Sequence, residues 1–88
     1  MNLKTARQFA ASFRRLPRWE QQSVTDTIAW FTEDPQAEGL RNHPLGGSMT
    51  GARAIAADGD LRIVFLERGN YAEVRLIDVG HHGDVYRP

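Results

Sequence analysis

The chain has 88 residues, 41% of them apolar and 25% charged, which is enough for one globular core and too little for two. It contains no cysteine, so disulfides, cysteine-ligated zinc and a thiol nucleophile are excluded, and a small domain without disulfides fits the cytoplasm. The N-terminus lacks the apolar run of a signal peptide, and no segment is apolar for the length a membrane span needs.

The formal net charge is zero, but its distribution is uneven. Lys4, Arg7, Arg14, Arg15 and Arg18 come first, with no acid among them. Glu20, Asp26, Glu33, Asp34 and Glu38 follow, with no base among them. This pattern suits a basic helix beside an acidic one, or a basic stripe turned toward a polyanion.

In chain order, Ala6, Phe9, Ala10, Phe13 and Leu16 make one apolar stripe, which predicts a helix over 5–16 with Thr5 as its N-cap. Leu16-Pro17 breaks it, and a second helix runs from about Arg18 to Glu33, with Val24, Ile28 and Phe31 inward. Asp34-Pro35 stops that helix, so the pair forms a tight αα-hairpin. Residues 36–50, rich in glycine and proline, are a loop or short helical turn.

From Gly51 the period falls to two. Strands are expected at Ala52–Ala57, Leu61–Glu67 and Tyr71–Val79, joined at Asp58-Gly59 and Arg68-Gly69-Asn70. Gly80 ends the third strand, and Val85-Tyr86 can add a short edge strand. The expected fold is therefore α+β, a single domain over 1–88. An N-terminal αα-hairpin packs on one face of a three- or four-stranded antiparallel β-meander.

A two-residue Asp58-Gly59 loop would set Ala56 opposite Leu61, Ile55 opposite Arg62, Ala54 opposite Ile63 and Arg53 opposite Val64. Leu61, Ile63, Phe65, Ala54 and Ala56 would then face the helices. Arg53, Asp60 and Arg62 would share the other face. A slip of one residue would undo this arrangement.

His43, Arg53, Asp60, Arg62, His81, His82, Asp84 and Tyr86 are the residues able to do chemistry. Histidine exchanges protons near neutral pH, arginine forks hold phosphate oxygens, and tyrosine stacks on a base or donates a proton. These are the parts for RNA cleavage without a metal: attack of a ribose 2′-OH on the adjacent phosphate, with protonation of the departing 5′-oxygen. A metal site from His43, His81, His82 and Asp84 is disfavoured, because adjacent histidines on an extended chain point to opposite faces. No metal or cofactor is expected.

The order of motifs resembles the RelE/ParE superfamily of bacterial type II toxins, nearest the YafQ-like and RelE-like messenger-RNA interferases. The resemblance runs through Phe9–Leu16, Asp34-Pro35, His43-Pro44-Leu45-Gly46-Gly47, and Arg53 with Asp60-Leu61-Arg62-Ile63-Val64-Phe65. It ends in Gly80-His81-His82-Gly83-Asp84-Val85-Tyr86. By that resemblance His43 is the loop histidine, Asp60 the hairpin carboxylate, His82 the C-terminal catalytic histidine and Tyr86 the aromatic after it. Arg62 is similar to the arginine that contacts the scissile phosphate. The roles implied are proton handling for His82 and His43, phosphate binding for Arg53 and Arg62, orientation of a histidine or arginine for Asp60, and base positioning for Tyr86.

The chain departs from the pattern in having Ala56 where the YafQ-like branch has a second histidine, in its zero net charge, and in a short N-terminal strand of at most Asn2-Leu3-Lys4. The resemblance implies a cytoplasmic toxin whose partners are a cognate antitoxin, messenger RNA and the ribosome, with no membrane and no small-molecule cofactor. The alternatives are a ParE-like inhibitor of DNA gyrase and a decayed, purely antitoxin-binding module. The nuclease assignment requires the C-terminal segment to meet Arg53, Asp60 and Arg62 on one side of the sheet.

Overall fold

A computed structural model describes residues 1–86; Arg87 and Pro88 lie outside the described residues. Strand β1 (Asn2–Thr5) leads into helix α1 (Arg7–Arg15) and helix α2 (Arg18–Glu33). Two short 3-10 turns (Glu38–Leu40 and Gly47–Met49) flank β2 (His43–Pro44). Then come β3 (Arg53–Ala56), β4 (Leu61–Arg68), β5 (Glu73–His81) and the one-turn helix α3 (His82–Val85).

The α+β architecture is as expected, but the sheet is larger and mixed. Its five strands run in the order β1-β5-β4-β3-β2. β1 lies parallel to β5, pairing Leu3 with Val74 and Thr5 with Leu76, while the other neighbours are antiparallel. Thr5 belongs to β1, so α1 starts later than predicted and Ala6 is its N-cap. The resemblance allows an N-terminal strand of at most Asn2-Leu3-Lys4; it runs one residue further, to Thr5.

Both long helices start and stop for local reasons. Leu16 is extended (ψ 145°), as a residue before proline must be, and Pro17 is the N-cap of α2. Gln21 Nε2 reaches back from α2 to donate to the carbonyls of Phe13 (3.0 Å) and Leu16 (3.1 Å). That satisfies acceptors which the end of α1 would otherwise leave bare. Arg14 and Arg15 in the last turn of α1 and Glu20 in the first turn of α2 each oppose the local helix dipole.

The core lies between the helices and the sheet. Phe9, Val24, Phe31 and Leu40 meet Ile55, Leu61, Ile63, Phe65, Val74, Leu76 and Val79. Phe31 stacks at a tilt on Phe65 (4.9 Å between centroids), and Tyr71 meets Phe31 edge-on at 6.0 Å. Each buried phenylalanine contributes roughly 1.5–3 kcal/mol by leaving water. Trp19 and Trp30 stay exposed.

The register of the β3–β4 hairpin differs from expectation by one residue. Ala57 N–H donates to the Leu61 carbonyl (2.9 Å), so the loop is Asp58, Gly59 and Asp60. Gly59 takes the left-handed conformation the turn needs (φ 56°). Arg53 therefore pairs with Phe65, Ala54 with Val64, Ile55 with Ile63 and Ala56 with Arg62. Ile55 takes the place of Ala54 and Ala56 on the helix side, while Ala54 stays fully buried on the far face opposite Val64. Arg53 moves to the helix side, and Arg62 stays on the far face beside Ala56.

That far face is not bare. Ala52, Val64 and Val85 form a second cluster, packed by Leu45, Met49, Ile77 and Tyr86. A bulge makes room for it: Val64 pairs with Asp78 and Phe65 with Leu76, leaving Ile77 as the extra residue. β5 continues through Gly80 to His81, and Val85 belongs to α3 rather than to an edge strand. Among the described residues no helix is long and apolar enough to cross a membrane.

Candidate active site

The far face of the sheet gathers four of the sequence-predicted residues, Arg62, His82 and Tyr86 with His43 at the edge. Arg62 sits there by its pairing with Ala56. α3 folds over the same face through Val85 and Tyr86, which pack with Val64. His82, the first residue of α3, lies one turn before Tyr86, and the two rings meet edge-on, 4.5 Å between centroids at 88°. The Tyr86 hydroxyl is buried and has no hydrogen-bond partner among the described residues, although a buried hydroxyl normally has one. Burial pushes its acidity down, raising the pKa above that of a free tyrosine, while the positive charge of Arg62 opposes the shift. The phenol thus stays protonated at neutral pH and remains a donor beside a guanidinium.

Arg62 Nη1 donates to the carbonyls of Gly59 (3.1 Å) and Leu61 (2.9 Å). Those bonds hold the head group against its own turn while its remaining donors are available to an anion. Ala56, opposite Arg62, places only a methyl where the YafQ-like pattern has a histidine. His43 pairs with Ala54 and so shares this face, at the sheet edge. Its Nδ1–H donates to the Arg41 carbonyl (2.8 Å). In the neutral ring that bond leaves Nε2 as a free lone pair, able to accept a proton. Leu45, Met49 and Tyr86 line a shallow cleft next to this group.

Two predicted residues do not join. Arg53 lies across the sheet, where its Nε donates to Asn42 Oδ1 (2.9 Å). Asn42 Nδ2 in turn donates to the Pro35 carbonyl and the Tyr71 hydroxyl, both at 2.9 Å. Arg53 is thereby part of a structural tie between the 35–42 loop and the aromatic core. Asp60 sits at the turn and orients a histidine, but that histidine is His81, not His82. The shared surface of Arg53, Asp60 and Arg62 expected from the sequence does not exist, so the condition set for the nuclease assignment is met only in part: Arg62 shares the face of α3, Asp60 meets the C-terminal segment at the turn through His81 and the His82 N–H, and Arg53 lies opposite.

His81 emerges as the residue that sequence reasoning passed over. Its Nδ1–H donates to Asp60 Oδ1 (2.5 Å) and its Nε2–H to Glu20 Oε2 (3.1 Å). Two carboxylate partners require both ring nitrogens to donate, which makes the ring an imidazolium. Its pKa is raised, chiefly by the bond to Asp60 with Glu20 adding, while burial opposes; Asp60 is lowered, chiefly by the same bond. Glu20 is buried, with a relative exposure of 6%. It falls on the inward stripe of α2 with Val24 and Phe31, and an acid on an apolar stripe was the available signal for a paired partner.

An α+β domain of this topology, with a C-terminal segment folded back over the sheet, is the RelE-like toxin fold. The solved structures it is similar to include YafQ from E. coli (TM-score 0.75, 13% identity, 98% of each chain covered). The YoeB/ParE toxin from Agrobacterium tumefaciens superposes equally well (TM-score 0.75, 20% identity, 93% of this chain and 99% of that one). A chain of the toxin–antitoxin complex RelBE2 from Mycobacterium tuberculosis gives a TM-score of 0.74 at 17% identity, over 92% of this chain and 96% of that one. The resemblance to the RelE/ParE superfamily thus holds in three dimensions. No protein-family model matches the sequence, and no curated protein matches it.

Proposed function

We propose that this protein is the toxin of a type II toxin–antitoxin system and an endoribonuclease that cuts messenger RNA. The observation that carries this proposal is the convergence of Arg62, His82 and Tyr86 on one face of a RelE-like fold. A phosphate held by the free donors of Arg62 would lie beside His82 and the protonated Tyr86 phenol. The 2′-oxygen attacks phosphorus and loses its proton to a histidine. Arg62 stabilises the charge that develops on the phosphoryl oxygens, and a second proton goes to the leaving 5′-oxygen. The products are a 2′,3′-cyclic phosphate and a 5′-hydroxyl end. His82 is assigned one of the two proton transfers, and His43, with Nε2 free, the other. Tyr86 orients a base.

Such a toxin acts in the cytoplasm on ribosome-bound messenger RNA and is held inactive by a cognate antitoxin. Solved relatives of this fold include toxin–antitoxin complexes, which supports an antitoxin partner here. Expression without an antitoxin should arrest growth and break transcripts, and His82→Ala should do neither while keeping the fold. Growth arrest with intact transcripts and a DNA-damage response would instead indicate a gyrase inhibitor, which uses the same fold without needing acid–base groups.

A further inference from the structure

α3 is a single turn, too short to hold its own shape in water. Its placement over Arg62 must therefore come from contacts outside it. One is Val85 in the far-face cluster, which lies close against Gly80. The other is at its start. Asp60 is gripped twice there: its carbonyl accepts from the His82 backbone N–H (2.9 Å) and its carboxylate accepts from His81 Nδ1–H (2.5 Å). On the other side of the imidazole, Glu20 fixes His81 to the first turn of α2. Where the β4–β5 pairing ends at Leu61 and His81, α2, the 58–60 turn and the end of β5 are joined through one ring.

We propose that His81, bridging Glu20 and Asp60, is a positioning residue that fixes the direction in which α3 leaves β5 and so holds His82 and Tyr86 over Arg62. This role rests on the ribonuclease assignment only for its effect on rate; the geometric claim stands independently. The clamp needs the ring protonated. The charged and titratable groups around it are Arg15 from α1, Glu20 from α2, Asp60 and Arg62 from the hairpin, Asp78 from β5, and Asp84 from α3. Asp60, the strongest influence, and Glu20 both favour the charged ring, so it keeps its proton to higher pH than a free imidazole and loses it as pH rises further.

The test uses the full chain and two readouts. By NMR, the nuclear Overhauser contact between the His82 and Tyr86 rings should be present while His81 is protonated. It should fade as pH rises through the His81 titration. Asp60→Asn should move that transition to lower pH. His81→Gln should abolish the ring contact at every pH while the Ile55–Ile63 cross-strand contact persists. In RNA cleavage, His81→Gln should lower kcat about a hundredfold with KM unchanged, the size of loss that follows displacement of a reacting group by an ångström. A ring contact that survives both His81→Gln and alkaline pH overturns the proposal. If Asp60→Asn leaves the transition where it was, the proposal also falls. If the NMR behaviour follows expectation and the wild-type chain cuts no RNA, the clamp stands and the ribonuclease assignment fails.

Discussion

Arg53 and Arg62 stand on opposite faces of the sheet, because Arg62 pairs with Ala56 and Arg53 with Phe65. One arginine faces His82 and Tyr86 from the same side; the other ties Asn42 to the helix side. The two should therefore answer differently to truncation. Arg62→Ala should reduce RNA cleavage by two to three orders of magnitude, the scale of losing one charge-stabilising group (about 2.7–4 kcal/mol). Arg53→Ala should leave cleavage within a few-fold and cost about 1 kcal/mol of stability, the net worth of one hydrogen bond. Single-turnover cleavage and urea unfolding of both variants decide the matter.

The core prediction concerns Phe65, which is fully buried against Phe31 and Tyr71. Phe65→Ala should cost about 3–5 kcal/mol. A domain of this size has little more than that to lose. The variant should be largely unfolded at 37 °C, visible as loss of near-ultraviolet circular dichroism.

Trp30 reports on Gly39. A Cβ added at Gly39 would come within 2.5 Å of the Trp30 ring. That ring is the far end of a half-exposed side chain, so it can swing out instead of straining the backbone. In a Trp19→Phe background, Gly39→Ala should shift tryptophan emission to the red and cost less than about 1 kcal/mol. Unchanged emission would place Trp30 elsewhere.

Stability should also depend on pH through the His81–Asp60 pair. His81 has a folded pKa raised above its ordinary value of 6.5. Its contribution is complete below that value and is lost as pH rises through the folded pKa. Asp60 has a folded pKa lowered below 3.8, so its contribution holds above that value and disappears as pH falls through the folded pKa. The pair therefore stabilises in full between 3.8 and 6.5, the ordinary values of the two groups. The thermal midpoint of the wild type should fall on the alkaline side of this interval, and Asp60→Asn should flatten that fall.

Much of this was legible beforehand. The stripe through Phe9 and Phe13, the break at Pro17 and the stop at Asp34-Pro35 located both helices, because each rests on local chemistry. Strand existence was legible too, from the period of two after Gly51. What failed was what depends on neighbours. The loop at Asp58-Gly59 looked like a two-residue turn, but burying Ile55 against Ile63 outweighs the local preference and moves the register by one. The bulge at Ile77 breaks the alternation on β5. It lets Val85 and Tyr86 pack as a helical turn where a strand was expected. At the site, the structure brings His82, Tyr86 and Arg62 to one face, whereas the one-residue shift in register sets Arg53 across the sheet, and Asp60 bonds His81. His81 was passed over because its partner Glu20 is distant in sequence.

The most direct test of the ribonuclease assignment is the chemistry of the ends it leaves. Transcripts from cells expressing the chain without an antitoxin should carry new 5′-hydroxyl ends. Those ends should be absent with His82→Ala and strongly reduced with Arg62→Ala, both proteins remaining folded. Identical new ends from the His82→Ala protein, or growth arrest by the wild type with no new ends at all, would contradict the account.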